Sequence, residues 1–562
     1  MFLTIYKKLG FTAISALILC FVGLFFINFG EKISINNGAG FDGIYYVYIV
    51  QNYEKLSVNG GFNKPIPEIG MADIAKTDRF FPSLLVYHGM KFLKLPLEWK
   101  NIIRAYEYQN LIWLLLASFA WSYISSKLTM QEKSRWLGFV FFFGSYAYLK
   151  FNYFYPALTD TAAACMAMIL IAFFVQDSWL GKLGIVAVAL AAAFTWQPIT
   201  IYAYILLLFP KKTPLLTDES KITKGINWAV WILPSLFFVY GFWTNYKIKG
   251  IETFKEMMTD KWGAVPIDVD SFWLSLFLVF IFNLFYYKYL FENSSLNNFK
   301  YLYKNSETQN TTQIILGIAE KVIPIVLIYL AVGQLHNLFL DQTVTANQGS
   351  TAGTDVASGV IAATATGIAN NPVSALSGLF FNPFSLHFPL EFLINAAVYF
   401  SPAIIIGFVF YPKLAETLRK EGGIGILLIF VASYSSSFLN SQSRIMTAFA
   451  PFLLVFITLM IDRLNWDKKY YYLLIVLTLI ASKAWLIFGS EWQTPTGMGK
   501  SWTMLMMNQG MWAAKKWYVM HSFIFILISV FFLLNRKTLL GIENSTQNVA
   551  NETVKDLPKK KK

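Results

Sequence analysis

Stretches such as FTAISALILCFVGLFFINF, which begins at Phe11, recur along this chain and leave it little choice of fold. A bilayer's hydrocarbon core of roughly 30 Å takes roughly 20 apolar residues to cross as a helix. A helix also satisfies its own backbone hydrogen bonds where no water is available. The runs lack the strict apolar and polar alternation of a membrane barrel. A composition of 56% hydrophobic and 14% charged residues, with a mean hydropathy of +0.49, excludes an ordinary soluble domain. The expected fold class is all-α: a polytopic helical membrane protein.

Walking the runs gives about fourteen transmembrane helices. They fall near Phe11–Phe29, Leu111–Ser126, Trp136–Leu149, Thr161–Gln176, Gly184–Trp196, Thr200–Phe209, Ile226–Trp243, Phe272–Leu290, Ile314–Val332, Phe392–Phe410, Ile424–Leu439, Met446–Ile461, Tyr471–Phe488 and Ser522–Leu534. Lys7 and Lys8, the turn with Lys127, Lys133 and Arg135, the loop with Lys211 and Lys212, and the terminal KKKK all carry positive charge. Basic loops stay on the cytoplasmic side, so both termini are expected there, with the first span kept as an anchor. The net charge of +14 is then an inner-face bias and no sign of nucleic acid. The expected organisation is one transmembrane domain over residues 1–540, with outer-face loops at 30–108, 245–271, 334–391 and 490–518, and a disordered basic cytoplasmic tail over 541–562. Cys20 and Cys165 both fall within spans and imply packing.

The first outer segment holds two amphipathic helices, one from Asp42 in FDGIYYVYIVQNY and one from Pro82 in TDRFFPSLLVYHGMKF. Tyr45 and Tyr46 lie one turn beyond Asp42, on the side of its carboxylate. Leu84, Leu85, His88 and Phe92 recur at helical spacing, with Ser83 and Lys91 on other faces. Both helices are expected to lie in the headgroup layer, with Trp99 as an interfacial anchor.

Asp42, Arg79, Asp160 and Arg444 all stand near outer membrane boundaries, where a charge needs a partner or water. Each has a plain alternative as well. Asp42 and Asp160 also read as helix caps, and Arg444 also reads as a side chain reaching lipid phosphate. Of four histidines, His387, in FFNPFSLHFPLEF, sits in an aromatic and proline-rich stretch able to close over a site. No cofactor motif is visible, and the first outer loop has no D-x-D or E-x-D doublet to support a divalent metal; none is assigned.

The layout of these residues resembles the GT-C superfamily of integral membrane glycosyltransferases, bacterial type. FDGIYYVYIVQ is similar to that group's G-x-D-G-x-x-Y-Y-x-x-A variant, with Phe41 where Tyr is usual and with Val47 and Val50 in place of smaller residues. TDRFFPSLL, YPALTDTAAA and SQSRIMTAFAP resemble its later Arg and Pro, acidic, and Ser and Arg segments. The resemblance implies transfer of a hexosyl or pentosyl group, with inversion, from a polyprenyl-phosphate donor to a glycan or lipid-linked acceptor outside the cytoplasm. It implies Asp42 as general base with Asp160 as second catalytic carboxylate. Arg79, Arg444 and Lys150 become donor-phosphate ligands, and Tyr45, Tyr46 and His387 substrate contacts. The implied location is a bacterial inner (plasma) membrane.

Two other functions share the span count. A lipid or oligosaccharide transporter or flippase would show paired repeats and charges near the midplane, and neither is visible here. A polysaccharide polymerase or ligase would carry arginines in its large outer loops, and Gln334–Glu391 has none.

Overall fold

The computed structural model describes residues 2–58, 78–211, 269–292, 310–339, 389–438, 443–487 and 515–540, with three isolated positions at 229, 232 and 236. Among the described residues every regular element is helical and no strand occurs. The expected span Ile226–Trp243, the loops at 245–268 and 340–388 with His387, most of the last outer loop, and the tail at 541–562 lie outside the described residues.

Three described helices are long and apolar enough to cross a membrane: Gly10–Phe29, Thr311–Leu335 and Trp517–Leu534. Shorter apolar helices include Asp160–Gln176, Trp179–Ala193, Pro198–Leu208 and Phe277–Leu290. The interior is built by helices with no polar face. Ala450 through Asp462 are all buried, and Asp160–Gln176 is buried along most of its length. The periphery is the reverse: Leu316 is 63% exposed, Tyr329 72% and Leu534 81%. Apolar helices that bury so little in protein need an apolar surrounding.

Close approach between helices depends on missing side chains. A Cβ on Gly23 would lie 2.6 Å from Leu111 Cδ1, and one on Gly138 would lie 2.2 Å from the Trp121 ring. The pair Trp179–Ala193 and Pro198–Leu208 forms two helices joined by a turn. Thr200 Oγ1 donates to the carbonyl of Ala189 at 3.1 Å, which folds the second back along the first.

Several expected straight spans are interrupted. The segment expected at Trp136–Leu149 is a helix Glu132–Phe143, then a π-helical turn Ala147–Phe151 after Gly144. The one expected at Phe392–Phe410 is two short helices, Glu391–Tyr399 and Ala403–Val409, parted at Ser401–Pro402, where the proline nitrogen has no hydrogen to continue the ladder.

Both outer-segment helices are present, as Gly40–Gln51 and Phe81–Phe92. They share a small core in which Tyr46, Val47 and Val50 meet Val86, Tyr87 and Met90, resting on Ile102 and Tyr106 of the helix Trp99–Lys127. Of the expected stripe, His88 and Phe92 are exposed, Phe92 at 86%, and the helix packs through Val86, Tyr87 and Met90. Ser83, expected on another face, is buried because its hydroxyl takes a 2.8 Å hydrogen bond from Tyr106.

Candidate functional site

Three chain segments far apart in sequence meet at one end of the bundle. Asp42 lies in the first turn of Gly40–Gln51 and Asp160 opens Asp160–Gln176, so both carboxylates sit where the helix dipole favours negative charge. Arg444 comes from the 3-10 turn Ser443–Ala448, just before the buried helix Ala450–Leu464. Its Nε and Nη2 donate to the two oxygens of Asp160, each at 2.9 Å, while Nη1 donates to Asp42 Oδ2 at 2.9 Å. The Asp160 contact is the planar two-bond fork that arginine makes with carboxylates. Every guanidinium nitrogen is therefore committed to a carboxylate.

The two acids differ in access. The Asp160 side chain is 7% exposed and that of Asp42 is 24%. Asp160 is the buried anchor, and Asp42 is the carboxylate that an incoming molecule reaches. Neither acts as a side-chain helix cap, and Arg444 is buried instead of reaching outward.

The backbone around Asp42 is fixed by Tyr155. Its phenol oxygen accepts the Asp42 N–H at 2.5 Å and the Gly43 N–H at 3.3 Å, taking two of the donors that a helix start leaves unpaired. Burial pushes the Tyr155 phenol well above its ordinary range, so it remains a neutral hydroxyl. The glycines flanking Asp42 make this contact fit. A Cβ on Gly40, which has φ +72°, would lie 2.3 Å from the Tyr155 ring, and one on Gly43 would lie 2.7 Å from the Ala157 carbonyl. The loop carrying Tyr155 is held in turn by Asn110, whose Nδ2 donates to the carbonyls of Asn152 and Pro156, each at 2.9 Å.

Arg79 stands nearby but outside the triad. Its guanidinium lies 4.2 Å above the Trp196 ring, and the Phe81 N–H donates to the Phe194 carbonyl at 3.0 Å, tying its segment to the turn between two helices. Arg79 Nε is buried and makes no hydrogen bond among the described residues. Tyr46 is buried between these groups, with the charges of Arg79, Asp42 and Arg444 all acting on its phenol; burial is the larger effect and pushes that phenol up. Tyr45 is buried too.

Lys150 does not join the triad. Its ammonium donates to the Leu486 carbonyl and lies 3.8 Å from Glu31 Oε2. His88 packs edge-on against Tyr53 and Tyr87, a packing role. His387 lies outside the described residues.

A small apolar cavity of about 30 Å³ lies within the helices that follow the site. It is lined by Phe392, Leu393, Phe430, Met446, Phe449 and Leu453 among others, and Met446 and Phe449 follow Arg444 by two and five residues. Tyr155, Trp196 and Tyr399, the last buried where the charges of Asp160 and Arg444 reach it, were not singled out by sequence reasoning. Their only signal was position: Tyr155 lies five residues before Asp160, and Trp196 in a short interhelical turn. Among the described residues no group of three or more His, Cys, Asp or Glu side chains gathers in a way that would hold a metal ion.

No family model, no curated protein and no solved structure matches this chain.

Proposed function

We propose that this chain is a membrane glycosyltransferase that moves a sugar from a polyprenyl-phosphate donor to an acceptor on the outer face, with Asp42 as general base. The observation that carries the reading is the convergence of Asp42, Asp160 and Arg444, which supports the resemblance to the GT-C superfamily. The associated topology is about fourteen spans, a bacterial inner membrane and both termini cytoplasmic.

The chemistry follows from the groups. Displacement at the anomeric carbon passes through an oxocarbenium-like state and needs a base for the acceptor hydroxyl proton. A base must start ionised, and a guanidinium 2.9 Å away favours the ionised form of Asp42. Asp160, gripped at both oxygens, serves by fixing that guanidinium, which in turn aims Asp42. The departing lipid phosphate gains charge as its bond breaks, so a nearby cation lowers the barrier more than it strengthens ground-state binding. Arg79 is the cation for this task, because the nitrogens of Arg444 are already engaged. Trp196 holds it in place and Tyr46 walls the space.

The interrupted helix pair Glu391–Tyr399 and Ala403–Val409 also fits a transporter, whose substrates bind where helices break. One experiment separates the two. Purified protein is supplied with polyprenyl-phosphate donors carrying radiolabelled hexose or pentose and with extracted envelope acceptors. The expected result is labelled product from wild type and almost none from Asp42→Asn. Absence of transfer from every donor, or full transfer by the variant, overturns the reading.

A further inference from the structure

A second set of charges sits one aromatic layer behind the triad, and the mechanism above does not use it. Lys483 follows the helix Lys468–Ala481 in a turn where its own backbone has φ +52°. Glycine or asparagine is usual in such a position, because a Cβ there is strained. The side chain is nevertheless directed inward and the residue is only 6% exposed. Its ammonium lies 3.4 Å from the Ala481 carbonyl and 5.9 Å from the centre of the Tyr146 ring, and among the described residues it meets no carboxylate. Burying an ammonium without a counter-charge is costly, and here backbone strain is added to it.

Other cations share the place. Lys150, 5% exposed, donates to the carbonyl of Leu486, three residues past Lys483. His521, 8% exposed, is close enough for the Lys483 charge to bear on it, and its Nδ1–H donates to the Trp517 carbonyl at 2.8 Å. One carboxylate, Glu31, faces the group at 3.8 Å from Lys150. Two lysines and a histidine thus gather in one buried place, with Glu31 beside Lys150. Tyr146 connects the region to the triad: its ring centre is 5.9 Å from that of Tyr399, which feels Asp160 and Arg444 on its other side.

We propose that the Lys483 turn, with Lys150 and His521, is a second anion subsite that takes a phosphate group, separate from the one at Arg79. For the ligand's chemical class this rests on the lipid-phosphate reading above. It deepens that reading, because two phosphate sites at one end of the bundle imply an acceptor that is itself a phosphate-bearing lipid.

The test uses the full chain in detergent with farnesyl phosphate, farnesol and inorganic phosphate as probes. Wild type is expected to bind two equivalents of farnesyl phosphate, seen as two bound resonances by phosphorus NMR, and no farnesol at the same sites. Lys483→Met is expected to weaken one of the two by at least about tenfold, Lys483→Arg to retain both, and Arg79→Ala to lose the other. Inorganic phosphate competing at the Lys483 site with equal strength identifies a free anion as its ligand; farnesyl phosphate alone binding there identifies a lipid headgroup. A single bound resonance in wild type, a measurement that needs no variant to fold, or unchanged binding in Lys483→Met, overturns the proposal. Binding is read without turnover, so the two readings fail separately. One equivalent with active sugar transfer removes only the second subsite, and two equivalents without transfer remove only the glycosyltransferase.

Discussion

The two ends of the buried helix Ala450–Leu464 both carry buried charge and use it differently. At the far end, Arg463 pairs with Glu421 and Asp462, and the same charges also serve the backbone. Asp462 accepts the N–H of Gln131 at 3.0 Å, Arg463 donates to the carbonyl of Leu128 at 2.9 Å, and Lys133 donates to that of Trp466 at 2.9 Å. Each contact satisfies a group that a helix end or turn leaves open. At the near end, Asp42, Asp160 and Arg444 bond through side chains to one another, and neither acid caps its helix through its side chain. Charges that close helix ends explain themselves as structure. Charges that join three distant segments through their side chains, with one carboxylate left reachable, are the ones the proposed chemistry uses.

The sharpest way to break that contrast is Asp42→Asn, expected to lower sugar transfer by about 10²–10⁴-fold, the range for loss of a general base, with little change in melting temperature. A variant that melts early but transfers normally would make the near end structural like the far one. Arg444→Ala removes the cation that Asp42 and Asp160 share and is expected to cost about 3–5 kcal/mol of stability together with all transfer, measured by thermal unfolding in detergent. If the additional change Asp160→Ala restores most of the stability but no activity, the division of labour between the two acids holds.

Gly43→Ala tests the fit around Tyr155. The added methyl meets the Ala157 carbonyl and is expected to cost about 1–3 kcal/mol and to reduce transfer, because it pushes Asp42 off its loop. At the far end, Asp462→Ala strands a backbone N–H and is expected to cost about 1–3 kcal/mol while transfer per folded molecule stays unchanged. A loss of transfer beyond the loss of folded protein would blur the comparison.

The smallest effect concerns the surface pair Glu54 and Lys91, 2.8 Å apart. Lys91, and then Tyr87, hold the Glu54 carboxyl below its ordinary 4.5, while Glu54 holds the Lys91 ammonium above its ordinary 10.5. The carboxylate's contribution is present above pH 4.5 and lost as pH falls through its lowered value; the ammonium's is present below pH 10.5 and lost as pH rises through its raised value. The melting temperature of wild type should exceed that of Glu54→Gln by a small constant amount between about pH 5 and about pH 10, with the gap closing outside that window. A gap that widens in acid contradicts the pairing.

Much of this was legible in the chain. Apolar runs of fixed length announce helices because lipid leaves the backbone no alternative, and a carboxylate or guanidinium at a span's mouth stands out because its burial is expensive. Asp42, Asp160 and Arg444 were found that way. That one arginine grips both acids was not legible, since its partners lie hundreds of residues away. Tyr155, Trp196 and Tyr399 were hidden for another reason: in a chain that is 18% aromatic, one more ring carries no signal until its neighbours are known. Gly40 and Gly43 were visible as a pattern, but the ring and carbonyl that require them were not. Lys150 shows the limit of charge alone: a lysine beside the right loop turned toward Glu31 instead.

Arg444 is 284 residues past Asp160 and 402 past Asp42. A chain made from its N-terminus therefore carries two carboxylates without their shared cation through most of its synthesis. A product truncated before residue 444 lacks the contact that joins those two acids. The contact proposed to aim the acid thus ties the start of the chain to a segment near its end, and only a product that reaches residue 444 can form it.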